Sequence, residues 1–358
     1  STQAKTLFPY TTLFRSHSQS KTYCNNCHTF DMPIPGGTAA IKRVKPVPAD
    51  SRPVEKTDII VIGAGAAGFT AAITAHDGDA KVILLEKQPI TGGNSALSAG
   101  GMNATETAFQ KKKGIKDSVD VMIQDTMKGG GNHNNPELVR ILATQSASSV
   151  DWLTSIGADI SDIGQMAGAT NYRTHRPTGG AAVGAHITKV LKKNAADRKI
   201  DVRVNSKVLK LVEDGKGKVI GVVVEGKHSG TYTILAKAVV MAAGGFSANQ
   251  TLVGQYQPQF VGMTTSNQPG ATGDGMLIGE QGGGQLIDMK EIQIHPTVAA
   301  GSRILITEAV RGNGAILINR NGKRFVNELT TRDKASQAVL AQPGGSAFLV
   351  FDSVIHKS

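Results

Sequence analysis

Residues 58–75 read DIIVIGAGAAGFTAAITA, and this stretch decides the fold. Four apolar residues lead directly into Gly63-x-Gly65-x-x-Gly68, and an alanine-rich segment with helical spacing follows. The pattern predicts a strand, a tight turn and a helix, as in dinucleotide-binding units. Gly63 would make the turn, Gly65 would let the backbone approach a pyrophosphate, and Gly68 would let helix and strand pack closely. The phosphates would lie at the helix N-terminus, where free N–H groups and the helix dipole favour an anion.

A lone G-x-G-x-x-G motif is weak support, since glycines are common in loops, but later segments add to it. Residues 81–86 (KVILLE) predict a second buried strand that ends in Glu86, a carboxylate at the spacing expected for holding ribose hydroxyls. Residues 91–95 and 98–103 add glycine-rich backbone, and residues 238–245 predict another strand running into a glycine turn. The repeated glycines favour FAD over a diffusible nicotinamide cofactor. The alternative is a structural glycine-rich α/β loop.

Length and charge limit the classes of function. The chain has 358 residues, enough for about two domains. It carries 39 Lys and Arg against 28 Asp and Glu, and this excess is either a solvated surface or a means of steering an anionic substrate or acidic partner. Aromatic residues make up 4% and no basic motif is interleaved with them, which argues against nucleic-acid binding. No apolar run in the sequence is long enough to span a bilayer, so we expect no transmembrane segment.

The first twenty residues are unusual. Residues 6–16 (TLFPYTTLFRS) have no periodicity typical of a helix or a strand, and they match the in-frame translation of a sequencing-library adapter along their whole length. We therefore expect residues 1–20 to be a non-native segment and the native N-terminus, with any signal peptide, to be missing.

Residues 24–28 read CNNCH, the pattern of covalent c-type haem attachment. Cys24 and Cys27 would form thioethers with the haem vinyl groups, and His28 would be an axial ligand of the iron. These are the only cysteines in the sequence. A redox-active dithiol or half of a zinc site remain alternatives, and a zinc site would need more ligands nearby. Haem attachment of this kind occurs outside the cytoplasm, so the motif favours a periplasmic location.

Hydrophobic periodicity predicts the remaining elements. A linker rich in Pro and charge (residues 42–54) is followed, beyond the dinucleotide unit, by predicted helices over residues 137–156 and 182–196, with Pro136 suited to the first turn of the former. Strand alternation over residues 202–243 predicts a β-meander that returns to the main sheet. Residues 346–352 predict a further strand.

His295, Thr307, Glu308, Arg311 and Arg332 are polar residues set among apolar ones, as a partly buried polar site requires. Each has an ordinary alternative. A lone histidine is often a core or surface residue, Glu308 and Arg311 could form a surface i,i+3 pair, and Arg332 could pair with the next residue in solvent. Spacing alone leaves both interpretations open.

From about residue 21 to residue 358 the sequence resembles the soluble flavocytochrome c fumarate reductases of the succinate dehydrogenase/fumarate reductase flavoprotein family. The resemblance is carried, in chain order, by CNNCHTFDMPIP, DIIVIGAGAAGFTAA, TGGNSALSAGGMNA, RPTGGAAVGAH, SNQPGATGDGM, IHPT, TEAVRGNGAI and TTRDKAS. It implies an α/β protein in which a Rossmann-like FAD-binding domain contains an inserted α+β capping domain. The implied boundaries are 21–50 for a haem-attachment remnant and linker, 51–289 for the first part of the FAD-binding domain and 290–358 for the capping domain.

The resemblance also implies roles for single residues. His295 and Thr307 would bind a substrate carboxylate. Flavin N5 would deliver hydride to fumarate while Arg332 donates the proton, with Glu308 and Arg311 passing protons to Arg332, and the product would be succinate. The residues expected to hold FAD are Gly63, Gly65, Ala66, Ala67, Gly68, Glu86, Lys87, Gly92, Gly93, Asn94, Ser95, Gly100, Gly101, Met102, Asn103, Val208, Ala243, Gly244, Gly245, Thr272, Gly273 and Asp274.

The sequence departs from the family in two ways. The family has several haems before the flavin domain, whereas this chain has one attachment motif, and the family's further His and Arg for the second substrate carboxylate do not occur here. We therefore expect truncation at both ends, with impaired catalysis and FAD binding. Urocanate or methacrylate reduction, or a non-catalytic haem/flavin electron-transfer fragment, remain alternatives. The expected partners are a small dicarboxylate and a periplasmic or membrane-anchored electron donor, in anaerobic respiration.

Overall fold

A computed structural model describes residues 12–15, 53–166, 169–300 and 304–353. The strands are β1 Thr12–Arg15, β2 Val54–Lys56, β3 Ile59–Ile62, β4 Val82–Leu85, β5 Met102–Asn103, β6 Asp162–Gly164, β7 Thr174–Arg176, β8 Asp201–Arg203, β9 Ser206–Glu213, β10 Val219–Gly226, β11 Gly230–Leu235, β12 Ala238–Met241, β13 Met263–Thr265, β14 Gln293–Ile294, β15 Ile316–Ile318 and β16 Phe348–Val350. The helices are α1 Ala66–Asp77, α2 Gly93–Leu97, α3 Ala108–Lys112, α4 Val119–Gly129, α5 Pro136–Thr144, α6 Ser146–Ser155, α7 Val183–Asp197, α8 Gln250–Tyr256, α9 Asp274–Gln281, α10 Glu308–Gly312 and α11 Arg332–Leu340, with 3₁₀ turns at Pro258–Phe260 and Pro343–Gly345.

A parallel sheet of order β12-β3-β4-β8 organises the fold. The predicted strands at β3, β4 and β12 are confirmed, and β3 pairs with β4 on one side and with β12 on the other. Both faces of this sheet are covered. Val61 points into a core formed with α1 and α7, whereas its neighbours Ile60 and Ile62 point into a second core. Burial on both faces explains why the sequence has continuous apolar runs instead of alternation.

The second layer is the predicted β-meander. Strands β9, β10 and β11 pair in antiparallel order, and β2 joins the far edge in parallel. Val208, Val222, Val224 and Ile234 from this sheet pack against the parallel sheet. The chain then enters β12, which returns to the parallel sheet as predicted. The result is a mixed α/β fold with helices on one face of the central sheet and a meander on the other.

The single helix predicted over residues 137–156 is wrong, because the structure has two helices, α5 and α6, that meet at Gln145. Serine hydroxyls explain the break. Ser148 and Ser149 each donate to the Gln145 carbonyl at 2.9 Å, and Ser146 donates to the Ala143 carbonyl at 2.9 Å. Such side-chain bonds to the backbone compete with a continuous helix. The start was predicted correctly, since α5 begins at Pro136.

Within residues 6–16, whose sequence has no strand periodicity, the structure nevertheless has a strand at Thr12–Arg15. These residues form β1, which lies antiparallel to β13 and parallel to β14. Backbone hydrogen bonds make such a strand independent of side-chain periodicity. The rest of that segment and the CNNCH motif lie outside the described residues, so the predictions of a non-native segment and of haem attachment stay predictions.

The strand predicted near the end of the sequence is confirmed as β16, which pairs in antiparallel order with β15. Of the helices that the structure describes, none combines the length and the apolar character needed to cross a membrane.

Candidate active site

A cavity of about 570 Å³ opens at the carboxyl ends of β3, β4 and β12, where Ile62, Leu85 and Met241 contribute to its wall. Open α/β sheets bind ligands at this edge, and the volume is in the range of ligand pockets. Most of the residues predicted to hold FAD line this cavity, namely Gly63, Gly65, Ala66, Ala67, Glu86, Lys87, Gly93, Asn94, Ser95, Val208, Ala243, Gly244, Gly245 and Asp274.

Two glycines of the first motif are required by close backbone packing. Gly63 has φ of +99°, and a Cβ there would lie 2.5 Å from the carbonyl oxygen of Ala242. A Cβ on Gly68 would lie 1.8 Å from the carbonyl oxygen of Gly63. The predicted roles of Gly63 in the turn and of Gly68 in helix packing are therefore confirmed. A Cβ on Gly65 would meet only ordinary contacts with protein atoms, so its approach to a pyrophosphate stays a prediction.

Glu86 follows the last residue of β4 and is 9% exposed. Its Oε2 accepts from the Ala64 amide at 3.0 Å, and its Oε1 accepts from the Gln88 amide at 2.8 Å. An ionised carboxylate has about four acceptor positions, so both oxygens keep capacity for further donors. Two amide contacts therefore hold a carboxylate at the cavity wall, where ribose hydroxyls are expected to lie.

Two residues that follow β4, Lys87 and Asn94, contact the segment that leads into α9. Lys87 Nζ lies 2.5 Å from Thr272 Oγ1 and 3.0 Å from Asp274 Oδ2. Asn94 accepts from the Gln268 amide at 2.8 Å and donates to the side-chain oxygen of Asn267. Burial alone would raise the pKa of Asp274, but the nearby Lys87 ammonium and the Thr272 hydroxyl outweigh it and lower that pKa.

The other residues predicted to hold FAD are outside the lining of the cavity, namely Gly68, Gly92, Gly100, Gly101, Met102, Asn103, Thr272 and Gly273. Gly101 packs under β7, because a Cβ there would lie 2.4 Å from Thr174 Cγ2. Gly273 has φ of +81° and caps α9. A direct contact of these residues with the cofactor remains a prediction.

The second cluster centres on Arg332, the first residue of α11. Its Nε and Nη2 lie 2.9 and 2.7 Å from Glu308 Oε2, and its Nη1 donates to Gln293 Oε1 at 2.8 Å. The sequence interpretation missed Gln293. A signal was present, because Gln293 and His295 are two residues apart on either side of buried Ile294, the spacing of one strand face.

Arg311 lies on α10, three residues after Glu308, and is 1% exposed. Its Nη1 donates to the Glu328 carbonyl oxygen at 2.6 Å, whereas its Nε and Nη2 have no hydrogen-bond partner in the described part of the chain. Burial lowers the pKa of Arg311, the charge of Arg332 lowers it further, and Glu308 opposes both. The Glu328 carboxylate accepts from the Leu317 amide at 2.8 Å, which fixes this supporting segment.

His295 is 6% exposed, and its Nδ1 accepts from the Thr297 amide at 3.2 Å. That bond assigns the proton of the neutral ring to Nε2, which makes Nε2–H a donor. Burial lowers the pKa of His295 well below its ordinary value, and the charges of Arg332 and Arg311 lower it further. The imidazole is therefore neutral at physiological pH. Thr307 immediately precedes α10, and its carbonyl accepts from the Val310 amide at 3.2 Å.

The fold thus brings the predicted polar residues into one cluster, and the chain segment that leads into this cluster lines the cavity. The cavity wall includes Asp288, Met289 and Glu291, and the chain continues from there into Gln293 and His295. The cluster offers a neutral donor, two guanidinium groups and one carboxylate in direct contact with Arg332. Such a set can bind an anionic substrate and move protons to it.

Comparison with known proteins supports this arrangement. The sequence model of the FAD binding domain family matches residues 58–355. A fumarate reductase (cytochrome) from Shewanella frigidimarina is 54% identical over 308 residues, 86% of this chain and 54% of that protein. A urocanate reductase from Eggerthella lenta is 35% identical over 318 residues, 87% of this chain and 52% of that protein.

Among solved structures, the open conformation of a flavocytochrome c3 fumarate reductase matches with a TM-score of 0.78 and 49% identity, over 85% of this chain and 54% of that one. The fold and the cavity define an FAD-binding domain. The chain belongs to the fumarate reductase-like flavoprotein oxidoreductase family that includes the flavocytochrome c fumarate reductases. It spans about half the length of the curated relatives it matches.

Proposed function

We propose that this chain supplies the FAD-dependent site of a reductase that converts fumarate to succinate, with Arg332 as the proton donor. The observation that carries the proposal is the position of Arg332, whose guanidinium joins Glu308 to Gln293 next to the dinucleotide cavity. Fumarate is favoured as the substrate because the relatives that are 54% identical are fumarate reductases.

The cavity fits FAD. The first residues of α1 and Glu86 line it, and the glycines at residues 244 and 245 leave its wall open to close approach. The first amides of a helix lack partners within that helix, so they suit a pyrophosphate. FAD supplies the two electrons of the reduction when it is bound.

The residues around Arg332 would bind and orient the substrate. The Nε2–H of His295 and the hydroxyl of Thr307 would donate to one carboxylate of fumarate. The fixed positive charge of Arg332 would stabilise the negative charge that develops towards a carboxylate during reduction. A neutral His295 suits this task, because a donor without charge does not repel Arg332 or Arg311.

Arginine is an unusual general acid, since the ordinary pKa of a guanidinium lies far above the pH at which enzymes work. The chemistry is reasonable if proton loss from Arg332 is concerted with negative charge forming on the substrate carbon. Glu308 contacts Arg332 at 2.7 Å and would return a proton at once. Arg311 would resupply Glu308, and its burial lowers its pKa in the direction that favours release.

We further infer that a c-type haem bound by Cys24, Cys27 and His28 delivers single electrons to the flavin. A periplasmic location, a periplasmic or membrane-anchored donor and a role in anaerobic respiration belong to this part of the proposal. The divisions at residues 51–289 and 290–358 into FAD-binding and capping domains belong to it as well. An alkaline pyridine haemochrome spectrum of the denatured protein tests the attachment, because thioether-linked haem stays with the chain on denaturation. A denatured chain without haem would refute the attachment.

The reaction is tested with the purified full-length protein from the source locus after reconstitution with FAD under anaerobic conditions. Reduced methyl viologen is mixed with fumarate, urocanate or methacrylate, and its oxidation and the product are followed by absorbance and NMR. Oxidation with fumarate and formation of succinate are expected. Oxidation with only urocanate or only methacrylate would replace fumarate by that compound as the assigned substrate. Flavin-containing protein that oxidises viologen with none of the three would favour an electron-transfer fragment and refute the enzyme proposal.

A further inference from the structure

We propose that Lys87, Thr272 and Asp274 form a latch that closes the adenosine half of the dinucleotide cavity and retains the cofactor. In this latch Asp274 is a positioning residue that acts through Lys87. The inference rests on the proposed function only in that the cavity must bind FAD.

The latch joins two parts of the cavity wall that are 187 residues apart in sequence. Lys87 directly follows Glu86 at the end of β4, and Asp274 is the first residue of α9. Thr272 Oγ1 lies 2.5 Å from Lys87 Nζ and donates to Asp274 Oδ1 at 2.7 Å, so the three side chains form a closed set of contacts. Lys87 and Asp274 both line the cavity, and the bond between them therefore joins two parts of its wall.

The position along the cofactor follows from general geometry. In dinucleotide-binding folds the acidic residue after the second strand takes the adenosine ribose, and the pyrophosphate lies at the helix N-terminus. The latch is next to Glu86, so it belongs to the adenosine half. The flavin half lies beyond the pyrophosphate, away from Lys87. Opening the latch should therefore affect ligands that carry adenosine and leave FMN unaffected.

The environment makes the ion pair effective. Lys87 and Asp274 side chains are 23% and 28% exposed, so solvent screens them only in part. Asp274 lies in the first turn of α9, where the helix dipole favours a carboxylate. Lys207 Nζ lies 3.6 Å from the same carboxylate and adds a second positive charge. Lowering of the Asp274 pKa keeps this carboxylate charged at neutral pH.

The test compares release of FAD and FMN from the reconstituted chain, measured by the recovery of flavin fluorescence after dilution. The variants are Asp274→Asn, Lys87→Met and the double variant, with Thr272→Val as a milder change. Asp197→Asn is the matched control, since Asp197 pairs with Lys193 at 2.6 Å on the exposed face of α7. Thermal melting of the apo chain shows whether each variant folds.

We expect Asp274→Asn and Lys87→Met each to speed FAD release about tenfold, the scale of a hydrogen bond between charged groups. The double variant should release FAD no faster than either single variant, because both remove the same contact. FMN release and the control should not change. Additive effects would mean separate cofactor contacts, and equal effects on FMN would mean general loosening of the wall. Either of these two results overturns the latch. If the other variants fail to fold, unchanged FAD release in Thr272→Val overturns it as well.

Failure of the latch and failure of the proposed function give different results. A chain that binds FAD but shows no difference between the variants refutes the latch alone. A chain that binds neither FAD nor FMN refutes the cofactor assignment and the latch together.

Discussion

Replacing Arg332 with lysine isolates the geometry of the guanidinium from its charge. The arginine makes contacts of 2.9, 2.7 and 2.8 Å to Glu308 and Gln293 with three different nitrogens. A lysine carries its charge at one atom on a flexible stem and cannot reproduce that planar arrangement. The proposed proton donor would then be misplaced relative to both the substrate and Glu308.

The expected loss follows from the value of a positioned general acid, which contributes about 10²–10⁴-fold to rate. We expect kcat for fumarate reduction to fall by about that factor in Arg332→Lys, with a smaller change in KM because the positive charge is kept. Arg332→Ala should abolish turnover, since it also leaves Glu308, which is 15% exposed, without its cationic partner. FAD should remain bound in both variants, because Arg332 is not part of the cavity lining.

The assay is anaerobic oxidation of reduced viologen by fumarate, together with the absorbance ratio of flavin to protein. Arg203→Lys is a suitable control, because Arg203 makes a comparable pair of contacts to Glu55 at 2.7 and 2.6 Å outside the site. Turnover of Arg332→Lys within about threefold of the unmodified chain would refute the assignment of Arg332 as a geometrically fixed acid. Loss of FAD from that variant would refute the separation of the cluster from the cavity.

Two further predictions concern stability. Gly68→Ala should lower the free energy of unfolding, measured by urea titration, by at least about 2 kcal/mol and abolish FAD binding, because the new Cβ would lie 1.8 Å from the Gly63 oxygen. The control is Gly129→Ala, which has open space around the new Cβ and should change neither the stability nor FAD binding. The free energy of unfolding should also fall as pH drops below 6.5, because the unfolded chain binds a proton that folded His295 excludes. His295→Gln should reduce this dependence, and a urea midpoint that rises on acidification would contradict the sign.

The parts of the fold that the sequence predicted are those governed by local rules. The roles of Gly68 and of the apolar runs of β3 and β4 depend on residues close by in sequence, so periodicity and glycine spacing were sufficient to predict them. The missed features depend on distant partners. Gln293 accepts a hydrogen bond from Arg332, 39 residues away, and Lys87 donates one to Asp274, 187 residues away. The break at Gln145 was missed because serine hydroxyls compete with the helix without changing its apolar pattern.

The proposed proton-transfer role of Arg311 depends on the fold around this residue. A buried guanidinium with two nitrogens lacking partners among the described residues weakens the folded state. The Glu328 carbonyl holds it at 2.6 Å, and the Glu328 side chain is itself fixed by Arg324 at 2.6 Å and by the Leu317 amide. Burial and the charge of Arg332 lower the pKa of Arg311, whereas a solvated arginine would keep its proton. Under the proposed function, the burial that costs stability would also favour proton release from Arg311 to Glu308, and the contacts of Glu328 keep Arg311 in place.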